Sequence, residues 1–356
     1  MREENTGGTN TMTNFQIPPR YEALAAQYEE LTPCRIILQE KGQYNIISSQ
    51  GEQAAVVSGK YQFDAVSPSD YPAVGDYVMA DLNDGNTAVI HHLLPRFSSF
   101  LRKAAGTARQ EQVVAANVDT LFLCMSLNND FNLRRLERYL SVAWDSGSKP
   151  VIVLTKADLC ENVSEKLSEV ESVAFGVDIL VTTAINTDGY EKLLSYVKPG
   201  QTVAFIGSSG VGKSTLINRL LGEDILATNG LRNDDKGRHT TTHRELIFLQ
   251  SGAMVIDTPG MRELGMWDSA GGVEQTFSDI EELAKHCRFS NCTHQAEPGC
   301  AIRAALESGE LSEERFNSYQ KLMQENAYAT DSEGYLASKE KKFKEISKIN
   351  KHNKKR

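Results

Sequence analysis

The residues Phe205-Ile206-Gly207-Ser208-Ser209-Gly210-Val211-Gly212-Lys213-Ser214-Thr215 carry the pattern G-x-x-x-x-G-K-[ST]. Glycines in such a loop let backbone N–H groups approach phosphate oxygens, and the helix that follows turns its positive N-terminus toward the same charge. In that chemistry Lys213 reaches the β- and γ-phosphates and Ser214 gives an oxygen to Mg²⁺, with Thr215 beside it. The apolar run 202–206 predicts a buried strand before the loop and the amphipathic run 216–221 a helix after it, so the context that phosphate binding needs is present.

A second constellation would read the base. Thr155-Lys156-Ala157-Asp158 follows the apolar run 151–154, and [NT]-K-x-D at a strand end lets the Asp carboxylate accept from guanine N1–H and the 2-amino group while the Lys stem lies along the ring. Adenine offers neither donor, so Asp158 would be left unpaired against it, and that is how a site rejects an analogue. Thr183-Ala184 after the next apolar run fits a backbone contact to the guanine oxygen.

Two further segments read as switches. Lys236-Gly237-Arg238-His239-Thr240-Thr241-Thr242 is polar and glycine-containing, and Thr241, with its neighbours as alternatives, is the expected hydroxyl that completes a Mg²⁺ shell when a γ-phosphate is present. Asp257-Thr258-Pro259-Gly260 follows the run 253–256; Asp257 would act on Mg²⁺ through water and Gly260 would donate its N–H to the γ-phosphate. Met261 stands where Ras-like enzymes use a glutamine to orient the attacking water, which leaves His239 or Arg238 as the candidate catalytic helper. An RNA-binding scaffold whose nucleotide site is a switch with negligible hydrolysis is the alternative that Met261 favours. Asp158 argues against an ATPase or kinase.

Cys287-x4-Cys292-x-His294-x5-Cys300 places three thiols and an imidazole within 14 residues, the donor set of a closed, structural tetrahedral zinc site. His286, next to Cys287, is the substitute imidazole. Cys34, Cys124 and Cys160 lie singly in or beside apolar runs and read as core thiols.

The elements that must position these groups fall into three textures. Residues 1–33 read as a disordered or helical extension, with a helical pattern over 21–31. Short β-rich runs at 35–38, 44–48, 54–58, 76–81 and 87–93, separated by turn signals, predict a five-stranded barrel of the OB type over 34–95. A linker, 96–112, interleaves Phe97 and Phe100 with Arg96, Arg102 and Lys103, a mixture that suits RNA contact as well as packing. From 113 to 275, apolar strands alternate with helical patterns and imply parallel βαβ units with ligands at the strand C-termini. Helices surround the cysteine cluster in 276–336.

The chain has 356 residues and a formal net charge of −9. Residues 339–356 carry nine Lys/Arg against two Glu, so a basic tail of +7 (337–356 as a segment) is hidden in a body of −16. No run approaches the ~18 apolar residues of a membrane span, and the N-terminus lacks an apolar signal segment. The expectation is a soluble, cytoplasmic monomer with no membrane partner.

Order is the most informative feature. GTPases run phosphate loop, switch, D-x-x-G, then base motif; here 155–158 and 183–184 precede Gly207. The domain is circularly permuted, which a sheet tolerates because domain termini commonly lie together at the surface.

With Pro95-Arg96, Arg102-Lys103-Ala104-Ala105-Gly106 and Ala115-Ala116-Asn117-Val118-Asp119, these motifs closely resemble the circularly permuted, small-ribosomal-subunit-dependent GTPases known as RsgA (YjeQ/YloQ). The resemblance spans nearly the whole chain. It implies a multidomain α/β protein: an N-terminal OB-fold, a permuted P-loop GTPase domain and a C-terminal helical zinc-binding domain. It also implies GTP hydrolysis stimulated by the small subunit late in its maturation, with rRNA contacts from the outer domains. Thr155 stands where many GTPases have Asn, and Ser58-Gly59-Lys60 where Arg-Gly-Lys is common in the family.

Overall fold

The computed structural model describes residues 15–40, 42–83, 87–103, 111–128, 130–183, 189–222, 244–257 and 272–330. A short helix, α1 (Pro19–Ala25), leads into β1 (Thr32–Glu40), β2 (Gln43–Ser48), β3 (Gly51–Val57), α2 (Gly59–Asp64), β4 (Tyr77–Asp81) and β5 (Ala88–Leu93). The hairpin β6 (Ser99–Lys103) and β7 (Glu111–Ala116) follows. Next come β8 (Thr120–Ser126), α3 (Leu133–Ser146), β9 (Lys149–Thr155), α4 (Val163–Glu171), β10 (Asp178–Val181), α5 (Tyr190–Leu194), β11 (Thr202–Ile206), α6 (Lys213–Leu221), β12 (Arg244–Phe248) and β13 (Met254–Asp257). The described chain ends in α7 (Gly272–Thr276), α8 (Ser278–Lys285), α9 (Ala301–Ser308) and α10 (Glu313–Thr330).

The chain divides into two compact units. The first holds α1, α2, every described strand, α5 and α6. Its barrel closes in the order β1-β2-β3-β5-β4 and back to β1, all pairs antiparallel except β3 with β5. Register shifts between Ile36 and Leu38 and between Met79 and Ala80 supply the bends that closure requires. Ile36, Ile46, Val78, Ala80 and Ile90 point inward and form the core that alternation in the sequence predicts.

β1 also leaves the barrel. Its Leu38 and Gln39 pair with Glu245 and Arg244 of β12, so the barrel and the α/β region share one sheet, continuing β12-β13-β11-β8-β9-β10. The four strands β11, β8, β9 and β10 run parallel with β13, and only β12 is antiparallel to its neighbours. β8, β9 and β11 are buried almost throughout, which is why their sequences are continuous apolar runs with little alternation. On α6, Leu216, Ile217, Leu220 and Leu221 recur at helical spacing and pack on Phe122, Val203 and Phe205; Gly222, in the left-handed region, ends the helix.

The strand that joins the two regions carries a fully buried cation. Arg35, 1% exposed, donates to Gly75 O (3.2 Å), Thr202 Oγ1 (2.7 Å) and Asn117 O (3.4 Å), sets Nη1 2.9 Å from Met254 Sδ, and lies over the Tyr77 ring. Asn117, at φ +56°, accepts from Tyr21 OH and the Phe97 amide and donates to Gly75 O. Arg96 forks onto Asp76 at 2.7–3.1 Å. Burial pushes the Asp76 carboxyl up, and Arg96 pulls it back. Pro95-Arg96 and Ala115-to-Asp119 are thus the polar joint between the barrel and the parallel strands, a role their spacing does not announce.

The second unit holds α3, α4 and α7 to α10. Phe277, Ile280, Ile302, Ala305 and Phe316 form its core, with Cys300 among them and Cys287 and Cys292 packed against it. Arg315 on α10 donates to Glu137 on α3 (2.7 Å) and to both oxygens of Asp279 on α8 (2.6 and 2.8 Å). That network ties three helices together.

Three expectations need correction. The helix read over 21–31 spans Pro19–Ala25, because Pro19 in the first turn is preset for a helix start and the chain turns after Ala26. The polar linker contains β6, held by burial of Phe100 and by Ser98, whose hydroxyl bonds both Val118 O and Val118 N. Among the three lone cysteines, Cys34 and Cys124 are buried but Cys160 is half-exposed, since it follows the turn at the end of the base motif. No described helix is long and apolar enough to cross a membrane. The N-terminal fourteen residues and the basic tail lie outside the described residues.

Candidate nucleotide site and metal centre

The phosphate loop joins the C-terminal end of β11 to the N-terminus of α6. Gly207, at φ +150°, sits so close to β8 that a Cβ there would lie 2.3 Å from Cys124 O, so no other residue fits. Lys213 opens α6 and is buried; its ammonium folds back across the loop and donates to Gly207 O and Ser208 O, each at 2.6 Å. Ser214, in the first turn of α6, is half-buried, while Ser209 and Gly210 are exposed. Beneath the loop, burial pushes the Cys124 thiol up to about 12, with Lys213 pulling the other way. A neutral thiol there adds no charge beside the phosphate position.

The base motif reaches this loop from β9, one strand beyond β8. Thr155 Oγ1 donates to Val211 O at 2.5 Å, so the hydroxyl that replaces the usual amide ties the strand end directly to the phosphate loop. Lys156 takes the left-handed conformation (φ +58°), which turns the chain sharply into Ala157 and Asp158. The amide of Ala157 donates to Thr182 O. Thr183 Oγ1 donates to Asp158 Oδ1 at 2.6 Å, which orients a carboxylate that is otherwise exposed. Arg219, in the last turn of α6, donates to Thr183 O at 3.3 Å and so ties Thr183, with the Asp158 carboxylate bonded to it, to the helix after the loop. Sequence reasoning missed both the Thr183 hydroxyl and Arg219; a cation one turn from the end of the helix after a P-loop is the only signal that points to the latter.

Asp257 is the last residue of β13, and its backbone pairs with Glu245, the same residue that pairs with Leu38 of the barrel. Ala184, Arg238, His239, Thr241 and Gly260 lie outside the described residues. The described groups bring a phosphate cradle, a lysine, a first-turn serine and an oriented carboxylate to the C-terminal ends of β9 and β11. That is where an open α/β sheet binds its ligand.

The four cysteine-cluster residues come together. Cys300 Sγ lies 3.4 Å and Cys287 Sγ 3.6 Å from His294 Nδ1, the two sulfurs are 3.9 Å apart, and all four donor atoms fall within 4.8 Å of one another. A tetrahedral zinc with Zn–S of about 2.3 Å needs sulfurs about 3.8 Å apart, so the donor set fits that ion. Burial pushes the Cys287 thiol up, but the amides of Ala301 and Ile302 at the start of α9, with the neighbouring thiols, outweigh it and hold it below its ordinary value. His286 caps α8 and is not in the cluster.

The profile of the RsgA GTPase family matches residues 93–267. The small ribosomal subunit biogenesis GTPase RsgA 2 of Lactiplantibacillus plantarum is 54% identical over 83% of this chain and 83% of its own length. The chain belongs to the RsgA GTPase family. RsgA 1 of Oceanobacillus iheyensis is 46% identical over 90% of this chain and 92% of its own. Among solved structures, YjeQ from Thermotoga maritima matches 83% of this chain and 99% of its own with a TM-score of 0.61 at 26% identity. YloQ, described as a circularly permuted GTPase, matches the fold over 83% of this chain and 95% of its own with a TM-score of 0.58 at 24% identity. This chain carries a closed five-stranded barrel, a permuted GTPase region and a helical region with a Cys₃His cluster.

Proposed function

We propose that this chain is a GTP hydrolase of small-subunit biogenesis that converts GTP and water to GDP and phosphate, stimulated by the small ribosomal subunit, in the cytoplasm. The observation that carries the reading is the hydrogen-bonded path from Val211 through Thr155 and from Asp158 through Thr183 to Arg219, which ties a guanine-reading carboxylate to a phosphate loop across the permutation. Relatives at 54% and 46% identity are small ribosomal subunit biogenesis GTPases.

In this reading the amides of 207–213 and the Lys213 ammonium hold the phosphates, and Ser214 with Thr241 binds Mg²⁺, which Asp257 supports through water. Asp158, oriented by Thr183, accepts from guanine; Ala184 meets the guanine oxygen. Mg²⁺ supplies charge neutralisation on the phosphate oxygens. His239 or Arg238 is the candidate for positioning water, because Met261 cannot. Cys287, Cys292, His294 and Cys300 hold one structural zinc. The partners are the small subunit, its rRNA, and GTP or GDP. The basic tail is a candidate rRNA contact.

The shared sheet supports a route for stimulation. Leu38 of the barrel, Glu245 of β12 and Asp257 of β13 form one cross-strand row, so a load on the barrel acts on the backbone of the switch carboxylate. The test is turnover of GTP, with ATP as control, with and without purified small subunits. GTP-only stimulation supports the reading. Subunit binding without stimulation would replace it with the scaffold alternative.

A further inference from the structure

Of the four cluster donors, two sit on fixed elements and two do not. Cys287 directly follows α8 and its His286 cap, and Cys300 is the residue from which α9 starts; both helices pack in the core of their unit. Cys292 and His294 lie on the irregular stretch between, and His294 holds the left-handed conformation (φ +60°), which a side-chain-bearing residue adopts at a cost of roughly 1 kcal/mol. Something must hold that loop.

One carboxylate does. Glu297 Oε1 accepts from Thr293 N (2.8 Å) and Thr293 Oγ1 (2.5 Å), and Oε2 accepts from Gln295 N (3.0 Å) and Ala296 N (3.1 Å). Three of these donors are the amides that bracket His294, and Thr293 separates the two loop ligands. Gly299, at φ +74°, then turns the chain to Cys300. We infer that Glu297 is the positioning residue of the metal centre: it touches no ligand atom, but it presets the backbone that aims Cys292 and His294 at the ion. A ligand loop ordered before binding loses less entropy when the ion arrives and releases it more slowly. The inference rests on the metal reading of the cluster and goes beyond it.

The test uses the full-length chain loaded with zinc, its Glu297→Ala and Glu297→Gln variants, and competition with a chromophoric chelator. Ala removes all four acceptor contacts; Gln keeps one oxygen and turns an amino group toward N–H donors. The expected result for Glu297→Ala is ten- to a hundredfold weaker zinc affinity, with faster release, at an unchanged stoichiometry of one. Gln should fall between Ala and the parent. Because a merely structural role would lower the melting temperature of loaded and stripped chains alike, the second readout is the gap between them, which should narrow in Glu297→Ala. Affinity and release within twofold of the parent, or a shift equal in both forms, overturns the assignment even if zinc binds. A parent chain that takes up no zinc overturns the metal reading and this role with it.

Discussion

The phosphate loop and the cysteine cluster are both built at the start of a helix, α6 in one case and α9 in the other, yet they are assembled in opposite ways. The cluster closes within 14 consecutive residues, and one nearby carboxylate organises its loop. The candidate nucleotide site draws Thr155, Thr183 and 207–214 from separate strands and fixes them by sheet pairing and three side-chain bonds. A local site cannot survive a cut placed between its ligands when the chain is reordered. A site built on strand ends can, because the sheet and not the order of its segments sets where each end arrives. Circular permutation of the second kind of site, with the first kept contiguous, is compatible with that difference.

The comparison can be broken at its largest effects first. Ser214→Ala should cut Mg²⁺-dependent turnover by about a thousandfold through loss of a metal oxygen, measured as single-turnover GTP hydrolysis; retained turnover would mean that the metal is held elsewhere. Arg35→Ala should destabilise the first unit by about 3 kcal/mol, because it removes a buried cation and with it the donor to Thr202 Oγ1 and Asn117 O, while Gly75 O keeps the Asn117 amide. A fall in urea midpoint at constant slope is the expected sign. Thr155→Val, which cuts the tie to Val211 O, should weaken GTP and ATP binding together by about tenfold, whereas Thr155→Ser should recover it. Thr183→Val frees Asp158 and should lower GTP-over-ATP selectivity about fivefold with little change in ATP affinity. The smallest effect is the sharpest test of independence: stripping the cluster metal should change GTP affinity less than about twofold, against RT of about 0.6 kcal/mol as the scale of a null result.

Much of both sites was legible in the sequence for physical reasons that differ. Buried parallel strands cannot avoid apolar runs, so β8, β9 and β11 are visible and the motifs at their ends can be placed. The barrel strands are visible through alternation and turn residues. β12 was not legible: it is five residues long, and although it forms a hairpin with β13, its other partners, Leu38 and Gln39, are more than two hundred positions away. Arg35 reads as an ordinary strand cation because nothing near it in the chain reveals Thr202 or Met254. Ser58 shows the same limit from the other side. Its hydroxyl accepts from Tyr61 N to cap α2, a local job that charge would not suggest. Side-chain hydroxyls that hold other side chains, as Thr183 holds Asp158, leave no periodic trace.

The central claim is that permuted strand ends build a guanine-reading site around Asp158. The most direct measurement is binding of GTP and XTP by the parent and by Asp158→Asn. Xanthine replaces the guanine 2-amino donor with a carbonyl acceptor, so an amide at 158 complements it where a carboxylate does not. The account predicts that the parent prefers GTP and that Asp158→Asn loses GTP affinity by at least about a hundredfold while gaining XTP. A variant that keeps the parent's GTP-over-XTP preference would contradict it.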